Sequence, residues 1–262
     1  MKKENVTRES LKRNIMKKVV FDIEYNTTLD IKKYIEEKRD FFYKFFKEYS
    51  SGDEKEIKIE IGNQNKILEN NVIGTVHSFR KFKNETNVQM TITKNNISFE
   101  INPENNYKKI NDYIETIDEI LKEMKSSDSF LNISKITLKK SSYEIYQNLE
   151  ELFKDFEKSI ICGSNDKYKR KLIREIETIE YKTFLIYYNR GIESGIVQKN
   201  GEQYEAFRGY LDITGILDKD KLEELREEIR DILYNLNDAL FDIFKDSVTE
   251  DFLNRNLAES GE

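Results

Sequence analysis

Glu56-Ile57-Lys58 and Glu180-Tyr181-Lys182 share the Glu-x-Lys spacing used by metal-dependent nucleases, where the carboxylate helps hold a divalent cation and the lysine assists the attacking water. Neither triplet has a convincing upstream Asp on an adjoining strand, and a chain dominated by Glu and Lys produces the spacing by chance. His77 is the only histidine, which excludes a His-rich metal site. Within Val76-His77-Ser78-Phe79 it reads as a surface or hydrogen-bonded strand residue. Cys162, the only cysteine, precedes Gly163-Ser164-Asn165-Asp166; a nucleophile there would need an activating base, and the plainer reading is a loop thiol. The ten glycines are scattered, with neither a GxGxxG run nor a Gly-Lys-Ser triplet to cradle a phosphate. These residues nominate no catalytic, cofactor-binding or metal-ligating side chain, and the reading leans away from an enzyme.

Two other groupings suit binding. Lys167, Lys169, Arg170, Lys171 and Arg174, interleaved with Tyr168, form the densest basic cluster. With the basic N-terminal arm and Arg80, Lys81 and Lys83 they could meet phosphates or an acidic partner. The neighbouring Glu175, Glu177 and Glu180 favour a solvated loop instead. Tyr188, Arg190, Arg208 and Tyr210 lie near predicted strand ends beside Tyr187, Tyr204 and Phe207. Tyr and Arg are the residue types that anchor protein interfaces, so these four are candidate interface residues.

The elements that would carry these groups are set by hydrophobic period. Residues 18–25 alternate as a strand with Val19, Phe21, Ile23 and Tyr25 on one face. Residues 30–49 read as a helix with the stripe Ile31, Ile35, Phe42, Phe45, Phe46 and Tyr49. Strands are predicted at 56–61, 73–83, 88–93 and 97–101, the last two joined at Lys94-Asn95-Asn96, and a helix at 105–125. A strand at 133–143, a helix at 149–156 and strands at 173–179, 183–188, 191–198 and 205–213 follow, with a turn at Asn200-Gly201. Asp218 then caps one long amphipathic helix which, if continuous to Lys245, spans about 40 Å at 1.5 Å per residue. Ser247-Val248-Thr249-Glu250 has capping-box spacing and restarts a short helix. The expected fold is α+β with two similar halves, each strand, helix, antiparallel strands and long helix, as a duplicated curved-sheet and helix unit. Its expected parts are a polar arm at 1–17, a first unit at 18–128 and a second at 129–262.

The chain has 262 residues, 37% hydrophobic and 36% charged, with a net charge of −6. That balance argues against a generally basic surface made for nucleic acid. No apolar run approaches a membrane span, and the basic N-terminus lacks the apolar core of a secretory signal. A lone cysteine cannot form an internal disulfide, and a cytoplasmic protein is the expectation.

The stretch Leu236-Asn237-Asp238-Ala239-Leu240-Phe241-Asp242-Ile243-Phe244-Lys245-Asp246-Ser247-Val248-Thr249-Glu250-Asp251-Phe252-Leu253 resembles the closing signature of a sporadically distributed prokaryotic family of uncharacterised proteins of about this length. Gly209-Tyr210-Leu211-Asp212-Ile213 resembles that family's Leu-Asp-Ile strand, and Ile136-Thr137-Leu138-Lys139-Lys140 sits where the family has another strand. Asn237 stands where the family has histidine, and the strand at 136–140 lacks its Gly and closing Ile-Asn. The resemblance implies no activity or cofactor, and its patchy distribution implies a phage-defence or mobile-element setting. The expected function is that of a non-enzymatic binding or accessory protein acting through a protein partner, with self-association into a homodimer also in view. The alternatives are a nucleic-acid binder or weak metal-dependent nuclease using residues 167–174, and a small-ligand protein with a pocket between sheet and helix. No membrane partner is expected.

Overall fold

The computed structural model describes residues 3, 6–7, 11, 15–61, 66–83, 85–103, 110–156, 172–199, 201–225 and 227–256. In chain order they form β1 (Met16–Asn26), α1 (Ile31–Glu37), α2 (Arg39–Tyr43), β2 (Phe46–Ile61), β3 (Lys66–Phe82), β4 (Glu85–Ile92), β5 (Asn96–Ile101) and α3 (Ile110–Ser127). There follow β6 (Asn132–Tyr146), α4 (Leu149–Asp155), β7 (Leu172–Tyr181), β8 (Phe184–Lys199), β9 (Glu202–Asp218), α5 (Lys219–Leu225), α6 (Ile229–Ser247) and α7 (Glu250–Asn256). The strands are hydrogen-bonded in the order β2-β3-β4-β5-β1-β6-β9-β8-β7, one antiparallel sheet of nine. The chain groups into two compact units. The α1/α2 unit comprises Phe21–Ile101 and Thr116–Ile136; the α6/α7 unit comprises Met1–Val20, Asn102–Glu115 and Thr137–Glu262. No helix among the described residues is long and apolar enough to cross a membrane.

The strand order overturns the expected α+β fold of two duplicated halves, each strand, helix, antiparallel strands and long helix. Two separate sheets would expose four edges of unpaired N–H and C=O groups, whereas the single order exposes two, β2 and β7. The helices do not repeat either. α3 runs 18 residues without a break, while the predicted long C-terminal helix is divided into α5, which buries nothing, and α6, which buries eight side chains. Glu228 marks the division: its backbone is extended (φ −68°, ψ 144°) and its carbonyl accepts the first bond of α6 from Ile232 N at 3.1 Å. Asp218 does cap α5, accepting from Lys221 N at 3.2 Å.

In the α1/α2 unit, alternation builds the core as predicted for its clearest strands. Phe21, Ile23 and Tyr25 of β1, Val88, Met90 and Ile92 of β4, and Ile97, Phe99 and Ile101 of β5 are all buried. Ile117, Ile120, Leu121 and Met124 of α3 join them. The predicted helix at 30–49 instead breaks at Lys38 and ends at Tyr43. From Phe46 the chain pairs with β3 in the register Phe46↔Phe82 and Tyr49↔Phe79. Aromatic residues favour a strand as readily as a helix when a partner strand is on offer. Phe46 lies 5.5–5.9 Å from the rings of Phe79, Phe82 and Phe99, and truncating such a residue costs about 3–5 kcal/mol. After α3, buried Asp128 accepts from Thr27 Oγ1 at 2.6 Å, Thr28 N at 2.7 Å and Phe130 N at 2.9 Å. These bonds, led by the Thr27 hydroxyl, pull its pKa down to about 2.

In the α6/α7 unit, α6 lies close on β9 because residue 215 has no side chain. A Cβ there would collide with Leu236 and stand 3.1 Å from Leu240 Cδ2. A Cβ at Gly209 would stand 2.8 Å from Phe156 Cε2, so that position too admits only hydrogen. Gly201, at φ +86°, makes the β8–β9 turn that the sequence pattern placed there. The capped joint falls two residues later than expected. Ser247 is still helical, donating to Ile243 O at 2.7 Å, and Thr249 caps α7 by accepting from Phe252 N at 3.0 Å. Buried Asp155 at the end of α4 then ties α7 down, accepting from Tyr146 Oη at 2.8 Å and from Arg255, while its carbonyl accepts from Thr249 N.

Candidate functional site

Two arrangements on the described residues could recognise something, one in each unit. In the α1/α2 unit, Asp30 caps α1 by accepting from Lys33 N at 3.1 Å. The helical period then puts Lys32, Ile35 and Glu36 on one face, and α2 adds Arg39, Phe42 and Tyr43. Beneath them the registers Tyr49↔Phe79 and Ser51↔His77 set four side chains on one face of β2 and β3. Roof and floor enclose a groove of about 290 Å³.

Roof and floor meet through aromatic rings. Phe42 and Phe79 stack at 4.7 Å, and Tyr49 lies 5.2 Å from Phe79. The groove's rim is charged. Arg39 donates through Nε and Nη2 to Tyr43 Oη at 3.2 and 3.0 Å and lies 5.2 Å from that ring, which fixes the guanidinium over the opening. Lys32 and Glu36 are exposed and form no hydrogen bond or ion pair among the described residues. Below the floor His77 is 1% exposed and shares a hydrogen bond of 2.8 Å with Tyr49 Oη. Burial lowers its pKa; Glu36 and Asp30 push it back up and Lys32 down. A neutral imidazole with a tyrosine partner is therefore a support for the floor and not an acid.

In the α6/α7 unit, the register places the residues singled out in the sequence on two faces. Ile186 pairs with Gly215, which lies under α6, so Ile186, Tyr188 and Arg190 face that helix. Tyr188 is buried with its hydroxyl 3.0 Å from Ser247 Oγ, and Arg190 lies 5.2 Å over its ring and 2.5 Å from Glu175 Oε2. Tyr187, Asn189 and Gly191 face away from α6. On that open face Arg174 donates to Asn189 Oδ1 at 2.8 Å, and Asn189 donates on to Asp212 Oδ2 at 3.3 Å. Exposed Arg208 lies 4.5 Å from the Tyr143 ring, 5.8 Å from the Tyr210 ring and 3.4 Å from Glu193 Oε2. Tyr210 is buried, which raises its pKa. Arg174, Arg208 and Tyr210 thus come together, and Tyr188 with Arg190 form a separate pair.

Lys167, Lys169, Arg170 and Lys171, and with them Cys162, lie outside the described residues, as do the side chains of Glu56, Ile57 and Lys58. In the second Glu-x-Lys triplet, Tyr181 donates to Asp242 Oδ2 at 3.0 Å and Lys182 turns back over the Tyr181 ring at 5.2 Å. Among the described residues no three His, Cys, Asp or Glu side chains converge as a metal site. Lys81 pairs with Glu48 at 2.5 Å and so does not extend a basic surface. Sequence reasoning missed the groove because its floor needs Tyr49 on a strand opposite Phe79. The aromatics of 41–46 satisfied a helical stripe equally well. Compared with known proteins, the chain matches no family model and no curated protein.

Proposed function

We propose that this chain is a non-enzymatic binding protein that engages a protein partner through the face of β7, β8 and β9 turned away from α6. The observation that carries the reading is a mixed, charge-balanced and partly apolar surface. Ile176 is 62% exposed and Tyr187 43% exposed, and they are diagonal neighbours because Ile176 opposes Asn189 and Thr178 opposes Tyr187. Around them Arg174 already has Asn189, and Arg208 already has Glu193 and two tyrosine rings. A phosphate backbone is held by cations that displace its counterions, whereas Arg208 is already paired with Glu193 and Arg174 is already hydrogen-bonded to Asn189. A protein surface with its own apolar centre and polar rim matches them better.

The test is comparative capture. Tagged wild-type chain and an Ile176→Asp/Tyr187→Ala variant, both of exposed residues, are used as bait in extract of the native host. The captured protein is then purified and its affinity measured against each bait. A partner bound by wild type and weakened at least tenfold by the variant supports the reading, at about 1.4 kcal/mol per decade. A partner bound equally by both, or salt-sensitive DNA or RNA binding in its place, overturns it.

A further inference from the structure

We propose that the groove between α1, α2 and the floor of β2 and β3 is a site for a small organic acid: one planar ring carrying a carboxylate or phosphate. The site belongs wholly to the α1/α2 unit and is independent of the partner face on β7–β9.

Size comes first. At about 290 Å³ the groove stands at the small end of ligand sites, which run from about 300 to 1,000 Å³. It accommodates one ring and its acidic substituent and excludes a dinucleotide. The floor then selects a ring. Phe42 and Phe79 are buried and packed against each other at 4.7 Å, and half-buried Tyr49, 5.2 Å from Phe79, and Tyr43 present the ring surface that a planar ligand can pack against. Charge selects the acid. Two cations, Lys32 and Arg39, and one carboxylate, Glu36, line the rim, while Asp40 acts on Arg39 from beside it. Arg39 is already oriented by its two bonds to Tyr43 Oη, and a guanidinium held in place can meet a carboxylate or phosphate through its free N–H groups. Ser51 supplies a hydroxyl on the floor. Glu36 repels a second negative group and is placed to accept from a ring hydroxyl or amine. The bond between Tyr49 and His77 fixes the floor without placing a charge in it.

Isothermal titration of the full chain tests this with 4-hydroxybenzoate and phenyl phosphate as the two ring-bearing acids. Phenol serves for both as the ring without the acid, and inorganic phosphate as the acid without a ring. The expected result is that at least one ring-bearing acid binds at least tenfold more tightly than its neutral counterpart and than phosphate alone. Which of the two binds distinguishes the carboxylate from the phosphate form. A Lys32→Gln/Arg39→Gln variant is expected to lose at least tenfold in affinity with an unchanged melting temperature. If removing Arg39 from Tyr43 disturbs the fold, Lys32→Gln alone, at an exposed position, carries the same comparison. Failure of both acids to bind overturns the assignment. So does binding indifferent to these substitutions, or phosphate alone binding as well. Ile176→Asp/Tyr187→Ala is expected to leave the titration unchanged, which separates this site from the partner face.

Discussion

Burial disfavours a charged imidazole, and at His77 that effect outweighs the opposing pull of Glu36 and Asp30, so its folded pKa lies below the ordinary 6.5. Below 6.5 the unfolded chain therefore binds more protons at this residue than the folded chain does. Stability must fall as pH drops through 6.5 and stop falling once pH passes the lower folded value. His77 is the only histidine, so no other imidazole contributes. Urea midpoints measured from about pH 8 to about pH 5 should fall for wild type relative to a His77→Gln variant. Parallel curves would mean that the imidazole gains water in the folded chain. The sequence pattern did place His77 on a strand and offered a hydrogen-bonded role. It could not show the burial, because Tyr49, which hydrogen-bonds and stacks with His77, had been assigned to the helical stripe at 30–49.

The same ambiguity explains which elements were legible. β4 and β5 alternate strictly, with apolar residues of one parity only, β1 does the same from Phe21 onward, and no helix accommodates that pattern. The 41–46 aromatics fit both periods, and only pairing with β3, far along the chain, decides between them. α5 and α6 share one unbroken apolar stripe, so the interruption before Ile229 has no signature in periodicity. Helix α6 is instead positioned by Gly215, whose missing side chain lets Leu236 and Leu240 reach the sheet. Gly215 has an ordinary backbone conformation, so a substitution there tests packing alone. Gly215→Ala should overpack this contact and cost about 1–3 kcal/mol, lowering the melting temperature by several degrees. Gly195→Ala, where a Cβ meets nothing within 4 Å, should not. Equal melting temperatures for the two variants would show that α6 does not lie on β9 as closely as these distances require.

For the whole molecule, the decisive fact is the place of β1. In two duplicated halves the first strand would belong to one sheet and β6 would open another. In the observed order β1 is paired on one side by β5 and on the other by β6, and the edges fall to β2 and β7. Local sequence could not reveal this, since each strand's own alternation is satisfied by either arrangement and only long-range pairing distinguishes them. Amide exchange reads the difference directly. An interior strand has both sets of backbone groups hydrogen-bonded, while an edge strand leaves every second N–H to solvent. In β1, moreover, Val19, Phe21 and Ile23 are wholly buried, so local opening there exposes core. Exchange should therefore be slowest along β1, β5 and β6, approaching the rate set by global unfolding, and fastest in β7, where alternate amides exchange freely. Equal protection of β1 and β7 would refute the single order and return the chain to separate sheets. Slow exchange confined to alternate residues of β7 that appears only when the protein partner is present would also show that the edge itself takes part in recognition.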